Sequence, residues 1–238
     1  MKIALIGYGR MGRAIEEIAV QRGHEIVLKV NIDNLEDNTI ENIQKADVAI
    51  EFSGPESAFE NLNRCLEAGV PTVSGSTGWL DRIDLVRQKC TALNGSFLYA
   101  SNFSIGVNIF FAVNDRLAEL MANHPQYEVS IKEIHHTQKL DAPSGTAISL
   151  AEQVLAHNQV KKQWKNDRSS GPADLLIESE RIDPAPGTHH VKYESSVDTI
   201  EIIHTAHNRQ GFASGAVLAA EYIAGKKGIF TMKEVLGI

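Results

Sequence analysis

The 238-residue chain predicts an α/β fold, a doubly wound parallel sheet followed by a second, α+β domain. Three observations carry that expectation. Over the first hundred residues, short apolar runs rich in Ile, Val and Leu alternate with segments of helical period, the pattern of parallel strands with crossover helices. A glycine loop, Gly7-Tyr8-Gly9-Arg10-Met11-Gly12, directly follows the first of these runs, as in Rossmann-like sheets. After Ser101 the rhythm changes, and strand-like runs follow one another without an intervening helix.

Lys2 to Ile6 is the first strand, apolar enough to be buried on both faces. Gly7 to Gly12 is the turn, and Arg13 to Arg22 continues as a helix with Ile15, Ile18 and Ala19 at helical spacing. Glu25 to Ile32 is a second strand ending at Asp33, and Ala46 to Phe52 is a third. Glu56 to Ala68 is a helix stopped by Gly69. Pro71 to Ser74, Leu80 to Leu93 and Ser96 to Ala100 give a fourth strand, a helix and a fifth strand. The later part reads as a helix over Val107 to Met121, a strand over Tyr127 to His135 and a helix over Thr146 to His157. Asn166 to Pro186 is polar, with Pro and Gly, and reads as loop or edge structure. His189 to Ser195 and Thr199 to Thr205 read as antiparallel strands, and Arg209 to Ala224 as an apolar helix of small residues.

Composition narrows the function classes. With 43% apolar and 22% charged residues the chain is an ordinary globular one, and its net charge of −7 argues against a nucleic-acid face. No apolar run reaches the roughly 18 residues of a membrane span. Met-Lys-Ile-Ala-Leu-Ile-Gly runs straight into the glycine loop and reads as a strand instead of a signal peptide. Cys65 and Cys90 have no His or Cys at metal spacing and read as buried free thiols of a reducing, cytoplasmic compartment.

The glycine loop sits between a strand and a helix, where small residues let backbone approach a pyrophosphate and the helix end receives its charge. Asp33 lies 21 residues past Gly12, at the end of the second strand, where an acid binds both ribose hydroxyls. Its carboxylate repels the 2′-phosphate of NADP, and Asn34 follows it in place of a clamping arginine, which favours NADH. Arg10 or Arg13 could still reach a phosphate, which keeps NADPH in play. Ser74 to Gly78 and Ala100 to Phe103 follow the fourth and fifth strands, at the sheet end where such folds bind ligands.

The densest chemistry lies in Glu133 to Ala147: Glu-Ile-His-His-Thr-Gln-Lys-Leu-Asp-Ala-Pro-Ser-Gly-Thr-Ala. Imidazole and ammonium groups bind anions and move protons near neutral pH. Pro143 and Ser144 set up a helix whose first N–H groups, at Gly145 and Thr146, suit a carboxylate. His135 and His136 are adjacent in a strand and point to opposite faces, so the pair has two jobs. Vicinal histidines chelate poorly and no third ligand stands at metal spacing, so no metal is expected. His24, His124 and His157 read as solvated. His189, His190, His204 and His207 lie near strand ends and read mainly as structural, although they could line the same pocket.

Four segments together resemble the 4-hydroxy-tetrahydrodipicolinate reductase (dihydrodipicolinate reductase) family: Gly7 to Gly12; Ser74-Gly-Ser-Thr-Gly-Trp79; Ser101-Asn-Phe-Ser-Ile-Gly-Val-Asn108; and Glu133 to Ala147. The tail from His204 to Ala216 also fits, and the resemblance spans nearly the whole chain. It implies an NAD(P)H-dependent oxidoreductase of lysine and diaminopimelate biosynthesis. It implies that His135 is the acid/base histidine and Lys139 the proton donor, and that His136, Gly145 and Thr146 bind a small dicarboxylate substrate. Gly7, Tyr8, Gly9, Arg10, Met11, Gly12, Asp33, Gly75, Ser76, Thr77, Ala100, Ser101, Asn102 and Phe103 match cofactor positions. The implied domains are 1–103 plus 209–238 for the dinucleotide and 104–208 for substrate binding and assembly into a homotetramer. The sequence departs from the family in three places. Its glycine loop is one residue shorter than the common form, Ser76 stands where many members have Thr, and the stretch between the second and third strands is compressed. Two rivals, a related amino-acid dehydrogenase and a non-catalytic NADH-sensing module, leave the Glu133 to Ala147 segment unexplained.

Overall fold

The computed structural model describes residues 1–167, 171–208 and 210–238. Arg209, where the last long helix was expected to start, lies outside them, as do three residues of the polar Asn166 to Pro186 stretch. The chain forms two units, Met1–Ile105 with Gln210–Ile238, and Gly106–Arg209.

The first unit runs β1 (Lys2–Ile6), α1 (Arg10–Gln21), β2 (Glu25–Val30), α2 (Ile40–Ile43), β3 (Val48–Glu51), α3 (Pro55–Glu67), β4 (Thr72–Ser74), α4 (Ile83–Ala92) and β5 (Ser96–Tyr99). The second runs α5 (Ile105–Met121), β6 (Glu128–His135), α6 (Gly145–His157), β7 (Gln163–Lys165), β8 (Asp174–Arg181), β9 (Gly187–Glu194) and β10 (Thr199–Ala206). The chain ends with α7 (Gln210–Ile223), β11 (Gly228–Phe230) and α8 (Met232–Leu236), all of the first unit.

The first sheet has the order β11-β5-β4-β3-β1-β2, parallel throughout. The expected doubly wound sheet is therefore present. Its strands are buried on both faces because successive side chains alternate. Ile3 and Leu5 join Ile50, Ile15 and Val217 in one cluster, while Ala4 and Ile6 join Ala49, Cys65 and Val70 in another. Each fully buried Ile or Leu contributes about 1.5–3 kcal/mol. The winding reverses between β1 and β3, so the turns after these strands, at Gly7 and Phe52, border the crevice where such sheets bind ligands. α1 begins three residues before the expected Arg13. This places Gly12 inside the helix, buried, where a Cβ would come 2.6 Å from the Gly7 carbonyl oxygen.

The second sheet is mixed, with the order β10-β9-β6-β8-β7. β6 runs antiparallel to β9 and parallel to β8. One correction concerns Asn166 to Pro186. Instead of loop or edge it contains β8, an interior strand between β6 and β7. Leu175 and Ile177 face the core with no exposure while Glu178 faces outward, and the outward polar side chains are what made the stretch look like a loop. The three-residue strands β7 and β11 are too short to show a periodicity of their own and were not expected.

Candidate active site

In the first unit, α1 opens at Gly9 with no side-chain cap and no acid in its first turn, which leaves its N–H groups for an anion. A Cβ built on Gly9 would meet nothing within 4 Å, whereas one on Gly7 would strike the Phe52 carbonyl. Gly7 therefore closes the turn against β3, and Gly9 presents bare backbone to an open cleft. That cleft is bounded by Gly9 to Met11, by residues 52–55 after β3 and by residues 75–77 after β4. Arg10 is exposed; Met11 packs partly into the core. The Tyr8 hydroxyl donates to Glu16, and the Tyr8 ring has Lys29 Nζ at 4.9 Å and the Arg13 guanidinium at 5.6 Å. Asp33 is exposed beyond β2, with Asn31 Nδ2 at 3.5 Å.

Under the cleft lies Glu51, at the end of β3 with no solvent exposure. Oε1 accepts from the Ser53 N–H (2.8 Å), Ser53 Oγ (2.5 Å) and Ser76 Oγ (2.7 Å), and Oε2 accepts from Ser74 Oγ (2.6 Å). Two of the expected cofactor residues are thereby redefined. The Ser76 hydroxyl is buried and donates inward to Glu51, while Thr77 is exposed beside the cleft. The Phe103 side chain is core, 2% exposed and 5.6 Å from the Phe52 ring. Ser101 is exposed and Ala100 half-buried, and Asn102 Oδ1 accepts from the Ser104 N–H at 2.9 Å.

In the second unit the alternation along β6 turns Val129, Ile131, Glu133 and His135 inward. Sheet register then sets Glu133 opposite His189 of β9 and Ser179 of β8, with Arg181 beside His135. Both Glu133 oxygens accept from the Ser144 N–H at 3.1 Å, and Oε1 accepts from Ser179 Oγ at 2.7 Å. His135 Nδ1 stands 3.4 Å from Oε2, His189 Nε2 3.7 Å from Oε2 and Arg181 Nη1 3.7 Å from Oε1. Burial alone would raise the Glu133 pKa, but the bonds from Ser144 and Ser179 and the nearby His135 hold it below its ordinary value. Burial lowers the His135 pKa, helped by the charges of Lys139 and Arg181 and opposed by Glu133. Burial and neighbouring His135 push His189 down to about 4.

The loop after β6 brings the remaining residues. Lys139 Nζ contacts both Asp141 oxygens at 2.8 Å, and Arg181 donates to the Lys139 and Asp141 carbonyls at 3.3 and 2.7 Å. His136 is half-buried. Ser144 caps α6, its hydroxyl accepting from the Ala147 N–H at 3.2 Å and meeting His189 Nε2 at 3.2 Å. Gly145 is exposed and Thr146 half-buried at the open turn, and a Cβ on Gly145 would meet nothing. The sequence reading gave no role to Glu133, Ser179 or Arg181, and it took His189 mainly as structural while leaving it able to line the same pocket. Only the inward alternation of β6 pointed to the first of these. Glu133, His135 and His189 also offer three ligand atoms within 4.8 Å of one another, the third partner that sequence spacing did not reveal.

A family model described as dihydrodipicolinate reductase, N-terminus, matches residues 1–103, and one described as dihydrodipicolinate reductase, C-terminus, matches residues 106–236. The chain is 52% identical to a 4-hydroxy-tetrahydrodipicolinate reductase of Christiangramia forsetii, over 99% of this chain and 98% of that protein. It is 31% identical to one of Neisseria gonorrhoeae, over 100% of this chain and 98% of that protein. Among solved structures, the fold is shared with a dipicolinate-bound dihydrodipicolinate reductase from Paenisporosarcina sp. TG-14, with a TM-score of 0.77, 23% identity and 98% of both chains covered. A probable dehydrogenase from Thermotoga maritima has a TM-score of 0.58 at 12% identity, covering 100% of this chain and 93% of that one. An uncapped helix start behind a glycine turn, a second unit rich in proton-handling groups and matches to both family models lead to one assignment: the chain belongs to the dihydrodipicolinate reductase family.

Proposed function

We propose that the protein reduces 4-hydroxy-tetrahydrodipicolinate, by way of dihydrodipicolinate, to tetrahydrodipicolinate in lysine and diaminopimelate biosynthesis. The observation that carries this reading is the gathering of an imidazole, an ammonium and an open helix start at one end of β6, in a chain matched along its length by the family. The first unit fits a nicotinamide nucleotide, because bare backbone at Gly9 and the uncapped turn of α1 receive a pyrophosphate. When bound, the reduced nicotinamide supplies the hydride for ring C4 of the conjugated imine left after the substrate loses water.

The chain's own residues do the rest. The N–H groups of Gly145 and Thr146, the Thr146 hydroxyl and His136 hold the substrate carboxylates at the start of α6. Lys139 Nζ, directed by its contact with Asp141, gives a proton to the ring carbon next to C4, acting with His135. His135, below its ordinary pKa, is neutral near pH 7 and can pass a proton on. No metal enters this reaction: the Glu133 carboxylate is already engaged by Ser144 and Ser179, and Arg181 and Lys139 add positive charge beside it.

NADH is the favoured nucleotide. Asp33 repels a 2′-phosphate, Lys29 is neutralised by Glu16 at 2.5 Å, and Asn34 is occupied with the Lys29 carbonyl and Asp37. Exposed Arg10 and Arg13 allow NADPH to be used less efficiently. The enzyme is further proposed to work in the cytoplasm as a homotetramer joined through the second unit's sheet. Among the described residues no helix is long and apolar enough to cross a membrane.

A coupled assay tests the reaction. Dihydrodipicolinate synthase generates the unstable substrate, and nucleotide oxidation is followed at 340 nm with NADH and NADPH in parallel. Oxidation that depends on the synthase product, faster with NADH, is the expected result. No oxidation despite NADH binding would shift the reading to another substrate or to a sensor. Lys139→Ala should lower kcat by about 100-fold or more while leaving the NADH Kd unchanged. Equal losses in both would overturn the role given to Lys139.

A further inference from the structure

We infer that Glu133 is a positioning residue for this reaction, orienting the His135 ring and the substrate-binding start of α6 from one buried carboxylate. The inference rests on the role proposed above for His135.

Three observations support it. First, packing alone does not call for an acid here. Glu133 takes the inward position after Ile131 on β6 and has no exposure, and a buried carboxylate is costly unless its donors are arranged for it. Its hydrogen-bond donors come from two separate segments, Ser144 before α6 and Ser179 on β8, and the His135 and His189 rings of β6 and β9 stand 3.4 and 3.7 Å from it.

Second, the bond from the Ser144 N–H fixes the first turn of α6. With its N–H taken by Glu133, Ser144 spends its hydroxyl on the Ala147 N–H, and the N–H groups of Gly145 and Thr146 are left at the open end. Third, the two edges of the His135 ring differ. Nδ1 is fully enclosed, 3.4 Å from Glu133 Oε2 and not aligned for a hydrogen bond. Nε2 lies beside Gly187, where a Cβ would come within 3.0 Å. A carboxylate next to Nδ1 favours the tautomer with the proton on Nδ1, which leaves Nε2 as the nitrogen that exchanges a proton. A small rotation of the ring toward Oε2 completes that bond.

The other groups around His135 do not supply this anion. His189 meets the ring edge-on at 5.1 Å and is neutral near pH 7. Arg181 and Lys139 are cations. Asp141, on the loop, is 62% exposed and paired with Lys139.

Glu133→Gln tests the inference at nearly constant volume. Its amide oxygen can still accept from Ser144, but its NH2 donates toward His135 Nδ1 and reverses the tautomer. We expect kcat to fall by at least about 10-fold, with substrate KM within about threefold and the NADH Kd unchanged. The limb of the kcat–pH profile that reports His135 should move to lower pH by about one unit, because the charge that stabilises imidazolium is gone. Side-chain 15N spectra of the folded protein should show His135 protonated on Nδ1 in the wild type and on Nε2 in the variant. Glu133→Asp, which keeps the charge, should return the pH limb toward its wild-type position and guards against a folding defect in the Gln variant. Ser179→Ala removes one bond to the same carboxylate but keeps its charge, so the pH limb that reports His135 should stay near its wild-type position.

A Glu133→Gln enzyme with wild-type kcat and tautomer would overturn the inference. So would a Ser179→Ala enzyme that reproduces the Gln variant's pH profile, since the effect would then be one of packing. His135→Gln separates the two levels. If it loses kcat while Glu133→Gln does not, only the inference fails; if it keeps full kcat, the role of His135 fails and the inference falls with it.

Discussion

Glu51 and Glu133 each end up with no solvent exposure near the C-terminal end of a strand; three serine hydroxyls and a backbone N–H donate to the first, one serine hydroxyl and a backbone N–H to the second. Without those donors either carboxylate would cost several kcal/mol. The histidines beside Glu133 give the protein a pH dependence of stability. The unfolded chain binds a proton at His189 near its ordinary value of 6.5, whereas the folded chain holds out to about 4, because burial disfavours the charged ring. As pH falls between these values the proton binds the unfolded state preferentially, so stability present above pH 6.5 is progressively lost. By pH 5 the loss from this residue is about 2 kcal/mol. His135, shifted in the same direction, adds to it. Thermal melts at pH 7 and pH 5 should show a Tm drop of several degrees, smaller in His189→Gln. An identical drop in the variant would remove His189 from the account.

At the scale of elements, two glycines make opposite predictions about helices. Gly9, ahead of α1, has an ordinary φ of −88° and open space where a Cβ would go. Gly9→Ala should therefore fold with an unchanged Tm yet raise the NADH Kd by about 10-fold or more, because the methyl stands where the pyrophosphate approaches. Unchanged affinity would move the nucleotide elsewhere. Gly215 lies inside α7, and a Cβ there would run into the Phe103 carbonyl. Gly215→Ala should cost about 1–3 kcal/mol and lower Tm, measurable by calorimetry without any ligand. Elements with a clear period were legible in the sequence: β1, α3 and β6 lie within a residue or two of where alternation and caps predict them. β8 was not, because its outward glutamates and flanking Pro and Gly resemble a loop until β6 and β7 enclose it.

At the scale of the molecule, a net charge of −7 coexists with a site that carries both signs of charge: Lys139 pairs with Asp141, and Arg181 stands 3.7 Å from Glu133 and donates to the Lys139 and Asp141 carbonyls. The second sheet buries Val129, Ile131, Leu175, Ile177 and Val191 on one face. Its other face carries Lys132, Glu178, His190, Lys192 and Glu201 around a half-exposed Ile203. The homotetramer proposed above would cover this face. Light scattering should then give four times the 26.1 kDa chain mass, and Ile203→Asp should shift it to smaller species. A single-chain mass at assay concentrations would overturn the proposed assembly.

The sequence by itself determined the doubly wound sheet and the glycine turn, and it set His135, His136, Lys139, Gly145 and Thr146 in one short segment. All of these rest on residues close together in the chain, where strand alternation, helix caps and glycine conformations are local. The tertiary structure decided the rest. It brought Ser179, Arg181 and His189 to Glu133 across roughly fifty residues, turned the Ser76 hydroxyl inward to Glu51 and put the Phe103 ring in the core. Strand order and register are set by which faces of distant segments bury one another, and local periodicity carries no record of the partner.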